Sequence, residues 1–370
     1  MQTLNIFYTI VLLLLLLNCS GKSVATDDSQ KLNNAVENAD KAFQSLISIY
    51  WDAHRDIFYS SNTKNTGLNY WWQAHGLNAL VDAAEREGND SLFTMISDFY
   101  NGIGNANNGF INDYYDDMAW MGIALIRAYV LTGTRKYLDT SILLWHDIST
   151  GWNETNGGGI AWNKNMLTYK NTPSNATTAI LSFRLYTITG EKKYFDLGEK
   201  IMLWLQSTLI DESSGMVWDG IGRTGAGIID YNWLFTYNQG IYIGACVEFY
   251  PISDDELWRE RAIKTADNAL LAFNGNLNIL KDEGSGDGGL FKGILIRYLK
   301  SLYDQAYLDQ AKKDTYKEYL RKNADVLWKY GKSSSYPYLF NHDWTAPPSG
   351  ENDLSVQLSG VFLMEACAGF

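Results

Sequence analysis

Apolar positions recur with a period near 3.6 along most of the chain, and the strict alternation of a half-buried strand is scarce. The pattern predicts twelve helices, over roughly 31–49, 70–88, 91–102, 116–132, 135–149, 174–189, 191–208, 235–249, 254–273, 288–304, 307–330 and 353–368. Two stretches repeat one another: Leu131-Thr132-Gly133-Thr134-Arg135-Lys136-Tyr137-Leu138-Asp139 and Ile188-Thr189-Gly190-Glu191-Lys192-Lys193-Tyr194-Phe195-Asp196. In each a helix ends, glycine supplies a left-handed cap, and a new helix starts at once. Glu87-Gly88-Asn89-Asp90 and Tyr250-Pro251-Ile252-Ser253-Asp254-Asp255 read as weaker copies of the same turn. A helical hairpin cannot bury its apolar face alone, so neighbouring hairpins must stack. The spacing gives roughly six hairpins, enough to close a ring: an all-α, single-domain (α/α)6 barrel. An open solenoid would need polar capping repeats, whereas the last predicted helix is apolar to its end. In such a ring the short turns share one end. The long connections, 50–70, 103–115, 150–173, 209–234, 274–287 and 331–352, then share the other, and long loops on a rigid scaffold are where functional groups concentrate.

Composition narrows the partners. The net charge of −12 argues against nucleic acid, which wants a basic surface, and disfavours a polyanionic substrate. The chain carries 13 Trp and 24 Tyr, enough rings to line a cleft as well as fill a core, and the flat C–H faces of sugars stack on such rings. Ile10 to Leu17 is apolar but too short to cross a bilayer, which reads as an export signal. Cys19 follows at once and resembles the lipidation site of a bacterial lipoprotein. Met1-Gln2-Thr3-Leu4-Asn5 lacks Lys and Arg, and Asn18 is not the usual small residue, so an ordinary secretory signal is the alternative. The expected layout is a signal over 1–19 ending at Cys19, a polar tether over 20–30, and a catalytic domain over 31–370. The expected location is outside the cytoplasm, at a membrane face through a lipid on Cys19. Cys246 and Cys367 lie in apolar, helix-like surroundings and read as buried thiols. No Cys cluster, His-Glu-x-x-His or phosphate-binding glycine loop occurs. The acidic run Asp282-Glu283-Gly284-Ser285-Gly286-Asp287 lacks the alternating ligands of a calcium loop and reads as a plain turn, so neither cofactor nor metal is expected.

The centre of the chain is Asn112-Asp113-Tyr114-Tyr115-Asp116-Asp117-Met118-Ala119-Trp120. Acids in the first turn of a helix are stabilised by the backbone N–H groups and the dipole, so Asp116-Asp117 suits a simple capping role. It equally suits glycosidic bond cleavage, which needs one carboxylic acid and one carboxylate. The other long connections carry Tyr70-Trp71-Trp72-Gln73-Ala74-His75, Gly157-Gly158-Gly159-Ile160-Ala161-Trp162-Asn163, Lys170-Asn171-Thr172-Pro173-Ser174-Asn175, Trp218-Asp219-Gly220, Thr236-Tyr237-Asn238-Gln239-Gly240, Phe291-Lys292-Gly293 and Asn341-His342-Asp343-Trp344. The Asp pair with its Trp, the Gly-Gly-Gly-Ile-x-Trp loop, Tyr-Asn-Gln-Gly and Phe-Lys-Gly together resemble glycoside hydrolase family 76, in this order and over nearly the whole chain past the signal.

The resemblance implies an endo-α-1,6-mannanase on an (α/α)6 barrel, cleaving yeast-type mannan with retention of configuration. It implies Asp116 as nucleophile and Asp117 as acid/base, although the residues alone leave the two roles interchangeable. The pair would straddle a loop-to-helix junction, and a donor such as Tyr115 would hold the nucleophile. Trp72, Trp162 and Trp344 are candidate sugar platforms or packed rings. Asn112, Asn175, Asn238 and Gln239 are candidate hydroxyl ligands, with helix capping the alternative for Asn175. Tyr237 would orient a carboxylate or the glycosidic oxygen. Lys292 would bond a hydroxyl or pair with an acid, and Asp219 and Asp230 would bind sugar or shape a turn. His75 reads as a core residue. The expected partner is an α-1,6-linked mannose oligosaccharide or mannan. Transfer to a sugar acceptor at the same site, a surface lipoprotein that binds glycan without cutting it, and another enzyme of the same ring architecture are the alternatives.

Overall fold

A computed structural model describes residues 30–370, and the expected signal and Cys19 lie outside the described residues. Among the described residues there are twelve helices, one for each expected from the sequence. The first, α1, covers 30–50, so Gln30 is already helical rather than part of the tether. The others are α2 (Tyr70–Glu87), α3 (Asp90–Ala106), α4 (Tyr115–Thr132), α5 (Arg135–Ser149), α6 (Thr172–Thr189), α7 (Lys192–Thr208), α8 (Thr236–Ser253), α9 (Glu256–Ala272), α10 (Gly288–Tyr303), α11 (Gln310–Tyr330) and α12 (Leu354–Ala368). The even-numbered helices form a closed inner ring: α2 packs on α4, then α6, α8, α10 and α12 follow in turn, and α12 returns to α2. The odd-numbered helices pack outside them, and α1 buries Ala42, Leu46 and Tyr50 in the shared core. This is the (α/α)6 barrel.

Position in the ring explains the sequence pattern. Inner helices are covered on all sides, and every residue of α12 from Leu354 to Met364 is buried; such a helix is apolar all round rather than amphipathic. The outer α3 buries only Leu92, Ile96, Phe99, Gly102 and Ile103, the single stripe of a surface helix. The inner-to-outer turns are short because one residue reverses the chain in the left-handed region: Gly88 (φ 62°), Gly133 (φ 68°), Gly190 (φ 71°) and Asp254 (φ 54°). All four lie at inner-helix C-termini, so the N-termini of the inner ring share the opposite mouth with the long loops.

Those loops are tied down by a recurring device. In α2, α6, α8 and α12 the fourth helical residue is an amide that grips the backbone of the segment entering the helix. Gln73 bonds both N–H and C=O of Phe58 (3.0 and 2.8 Å), Asn175 those of Ile160 (2.7 and 2.9 Å), and Gln239 those of Val217 (2.9 and 2.8 Å). Gln357 accepts from Phe340 N–H and donates to Tyr338 C=O (3.0 and 3.1 Å). Each satisfies buried backbone groups that a loop cannot satisfy itself. Two antiparallel pairs add to this. β1 (Trp51–Asp52) pairs with β2 (Ile57–Phe58), and β3 (Lys170–Asn171) pairs with β4 (Gly220–Ile221), Asn171 lying opposite Gly220.

Close approach of inner helices depends on glycine. A Cβ on Gly240 of α8 would lie 2.7 Å from the Leu295 Cα on α10, backbone that cannot swing aside. Gly240→Ala is therefore expected to cost about 1–3 kcal/mol by overpacking, seen as a lower unfolding midpoint in denaturant with an unchanged slope.

Candidate functional site

The N-termini of the inner ring surround a cavity of about 690 Å³. Tyr70 and Trp71 reach it from α2, Asp116, Asp117 and Trp120 from α4, and Tyr237 and Phe291 from α8 and α10. Asn112, Trp162, Asn171, Asp219, Arg223, Trp233 and Asp287 reach it from the connecting segments. A cavity of about 530 Å³ at the opposite mouth holds Arg127, Arg184 and Arg297, but these are matched internally by Asp82, Glu85 and Glu248.

The two carboxyls stand in the first turn of α4, after an extended Tyr114 (φ −101°, ψ 120°) that makes no side-chain cap. Their surroundings differ. Asp116 Oδ1 accepts the N–H of Asp117 at 3.1 Å, and the side chains of Asn171 and Trp162 also bond this carboxyl. Asp117 has one such donor, Asn112 Nδ2 at 3.1 Å from Oδ2, while the Asn112 Oδ1 accepts the Tyr114 N–H at 2.7 Å and fixes the turn. Burial raises the pKa of both groups. For Asp116 the hydrogen bonds pull back toward the charged form. For Asp117 the negative charge of Asp116, and then that of Asp287, pushes further up, against the one bond from Asn112. Like charges in one site oppose each other's ionisation, and the surroundings favour the charged form more at Asp116 than at Asp117.

Across the cavity Asp219 is buried and saturated. Its Oδ1 accepts from Tyr237 Oη (2.9 Å) and Asn238 Nδ2 (3.0 Å), and its Oδ2 from Tyr169 Oη (2.8 Å) and Arg223 Nη2 (3.0 Å). The Tyr237 ring stacks on Phe291 with centroids 4.0 Å apart. The Arg223 guanidinium lies 3.8 Å from the Trp233 centroid and 4.4 Å from that of Tyr169, with Asp230 on its Nε at 3.2 Å. The wall thus offers flat aromatic faces and a fixed tyrosine within range of the Asp116 charge.

The sequence pattern of Glycosyl hydrolase family 76 matches residues 34–368. The chain belongs to this family. Among solved structures it is similar to the alpha-1,6-mannanase of Salegentibacter sp. HEL1_6, with 39% identity and a TM-score of 0.87 over 90% of this chain and 98% of that one. An inactive variant of the same mannanase, with two consecutive aspartates replaced by asparagine, is in complex with alpha-1,6-mannotriose; it is 38% identical to this chain, with a TM-score of 0.87 over 90% of this chain and 98% of that one. Mannan endo-1,6-alpha-mannosidase of Candida albicans is 28% identical over 55% of this chain and 50% of its own length. The family 76 chain therefore spans about half the length of that curated relative.

Within this family 76 chain, the structure brings Asp116, Asp117, Asn112, Trp162, Asp219 and Tyr237 onto one cavity. Other candidates stand elsewhere. Asn175 and Gln239 are the amide grips described above, so their polar atoms serve loop backbone. Asn238 is buried and bonds Asp219. Lys292 is buried, donates to His342 C=O at 2.5 Å and lies 4.0 Å from the Trp344 centroid, which makes Trp344 a packed ring rather than a platform. Tyr115 packs its ring on Gly151 and contributes only its N–H, to Trp162 C=O at 3.0 Å; the side-chain donors to Asp116 are Asn171 and Trp162 instead. Trp72 is buried behind Trp71, its neighbour, which lines the cavity. His75 is enclosed by Trp71, Trp120 and Phe362, and burial drives its pKa well down. The glycine run 157–159 approaches Trp152 and Trp204 of the chain itself, and buried Lys170 anchors it through Gly159 C=O at 2.6 Å.

The run 282–287 is not a plain turn. Asp282 meets His342 at 2.8 Å, Glu283 accepts the N–H of Thr236 at 3.0 Å, and Asp287 faces the cavity. Asp287, Arg223, Trp233, Phe235 and Trp71 are site residues that sequence reasoning passed over. The one available signal was the crowding of carboxylates and rings into the segments before inner helices.

Asp219→Ala would leave Arg223 and three neutral donors without their shared acceptor. The expected loss is about 3 kcal/mol of stability, read as a lower calorimetric melting temperature.

Proposed function

We propose that this chain is a retaining endo-α-1,6-mannosidase acting on linear α-1,6-linked mannose chains. The observation that carries the reading is the consecutive carboxyl pair on one cavity wall, with one member rich in donors and the other flanked by negative charge. That inequality supplies the carboxylate and the carboxylic acid that glycoside cleavage needs together. Similarity to the Salegentibacter mannanase supports the substrate class. A module that only binds glycan gains nothing from raising two carboxyl pKa values in its cleft.

In the proposed reaction Asp116 attacks the anomeric carbon as the glycosidic C–O bond breaks, and Asp117 gives its proton to the departing oxygen. A glycosyl ester on Asp116 results, and Asp117 is left ionised. Asp117 then takes a proton from water as the water oxygen attacks the same carbon and releases Asp116. The second inversion restores the original configuration, and Asp117 regains its proton. Consecutive side chains can meet the separation of about 5–5.5 Å that a retaining pair uses, which favours this route over inversion. The rings of Trp162, Tyr237 and Trp71 would bear sugar faces.

Asp116→Asn and Asp117→Asn are each expected to lower turnover of linear α-1,6-mannan at least ~10³-fold, with folding unchanged. Proton NMR of the first product should show the α anomer. Near wild-type turnover in both variants, or β product first, would overturn the proposal.

We further propose export and lipidation at Cys19, from the apolar run that precedes it. In a bacterial host the full chain should take up labelled fatty acid and partition with membranes, and Cys19→Ala should do neither. A wild-type chain free of lipid would rule the anchor out.

A further inference from the structure

The cavity that holds the pair is also lined by Asp287. Asp287 stands just before α10, and its Oδ1 accepts two indole N–H groups, Trp71 Nε1 and Trp72 Nε1, each at 3.1 Å. Two N–H donors converging on one oxygen fix where that carboxylate sits. Among the described residues no cation forms an ion pair with Asp287, so its field is not cancelled locally. The groups facing Asp117 are few. Asp116 is its neighbour on α4, Asn112 donates from the preceding loop, Tyr70 of α2 is engaged with Phe110 C=O at 2.8 Å, and Asp287 comes from the residue before α10. Arg223, the cation on the cavity wall, is committed to Asp219 and Asp230.

We propose that Asp287 is a positioning residue for the reaction: a fixed negative charge, anchored by the paired indoles of Trp71 and Trp72, that keeps the proton on Asp117. The inference rests on the role given to Asp117 above. It explains why two adjacent tryptophans turn their N–H groups the same way, and why the acid is set apart from Asp116 although one helical turn carries both. A charge at Asp287 opposes ionisation of Asp117 without being consumed, and each catalytic cycle meets it again when Asp117 must recover its proton.

Asp287→Asn is the direct test, because an amide oxygen can still accept both indole N–H groups while the charge is lost. Removing a negative neighbour makes Asp117 ionise more readily. The alkaline limb of the kcat/KM profile on α-1,6-mannan should therefore move down by about one pH unit, a tenfold loss of rate on that side. Asp287→Glu should hold the limb near its wild-type position. Asp287→Ser, smaller and neutral, should shift it as the amide does. A profile scaled down at every pH with its alkaline limb unmoved in both neutral variants would overturn the proposal and leave a structural role. Failure of the underlying reading would be visible separately, as full turnover in Asp117→Asn.

Discussion

Two carboxyl groups on consecutive residues, half withdrawn from water at the start of one helix, cannot both carry charge at neutral pH. Burial penalises the first charge and the first charge penalises the second. Any chain that places Asp116 and Asp117 there must keep a proton between them. The protein decides where that proton sits by giving the two groups unequal company. Asp116 receives the Asp117 N–H, Asn171 and Trp162, whereas Asp117 receives Asn112 and stands near other acids. Much of the site's architecture is the delivery of those partners to the first turn of α4.

The ring makes that delivery possible. Because a single left-handed residue reverses the chain at the end of each of four inner helices, those helices run parallel and their N-termini gather at one mouth. The positive ends of their dipoles point toward the cavity, which suits a site built from acids. The long segments crossing that mouth would be slack without support. Amides at the fourth residue of α2, α6, α8 and α12 hold them, and the β3–β4 pair brings Asn171 beside the Asp219 segment. A polar side chain buried next to a cleft is thus as often a strut for the cleft's wall as a ligand for what enters.

That duality marks the limit of what the sequence made legible. The helices could be read because outer ones carry a stripe and inner ones a continuous apolar run, and the Gly133 and Gly190 turns repeat almost residue for residue. The Asp116-Asp117 pair could be read because acids beside rings before a long helix are conspicuous. Asn175 and Gln239 misled because an amide in the first turn of an inner helix looks the same whether it bonds sugar or backbone; only the partner, 15 or 22 residues earlier, tells them apart. Trp71 and Trp72 differ only in helical phase at a helix start, which periodicity cannot assign to a residue. Asp287 was hidden in a glycine-rich acidic run, and its partners lie 215 and 216 residues away on the far side of ring closure.

Division of labour among these segments has a consequence for how such a site can vary. The backbone of α4 fixes the two carboxyls relative to each other, so no loop change alone can alter their spacing by much. Their ionisation, by contrast, is controlled from elsewhere. The 150–171 segment supplies side-chain donors to Asp116, the 103–114 segment supplies Asn112, α2 supplies the indoles, and the segment before α10 supplies Asp287. Geometry and proton affinity are held by different parts of the chain. Substitution in one loop can therefore raise or lower the proton affinity of one carboxyl while the spacing of the pair stays put, so a ring of this kind can change the pH at which the pair ionises without rebuilding the pair itself.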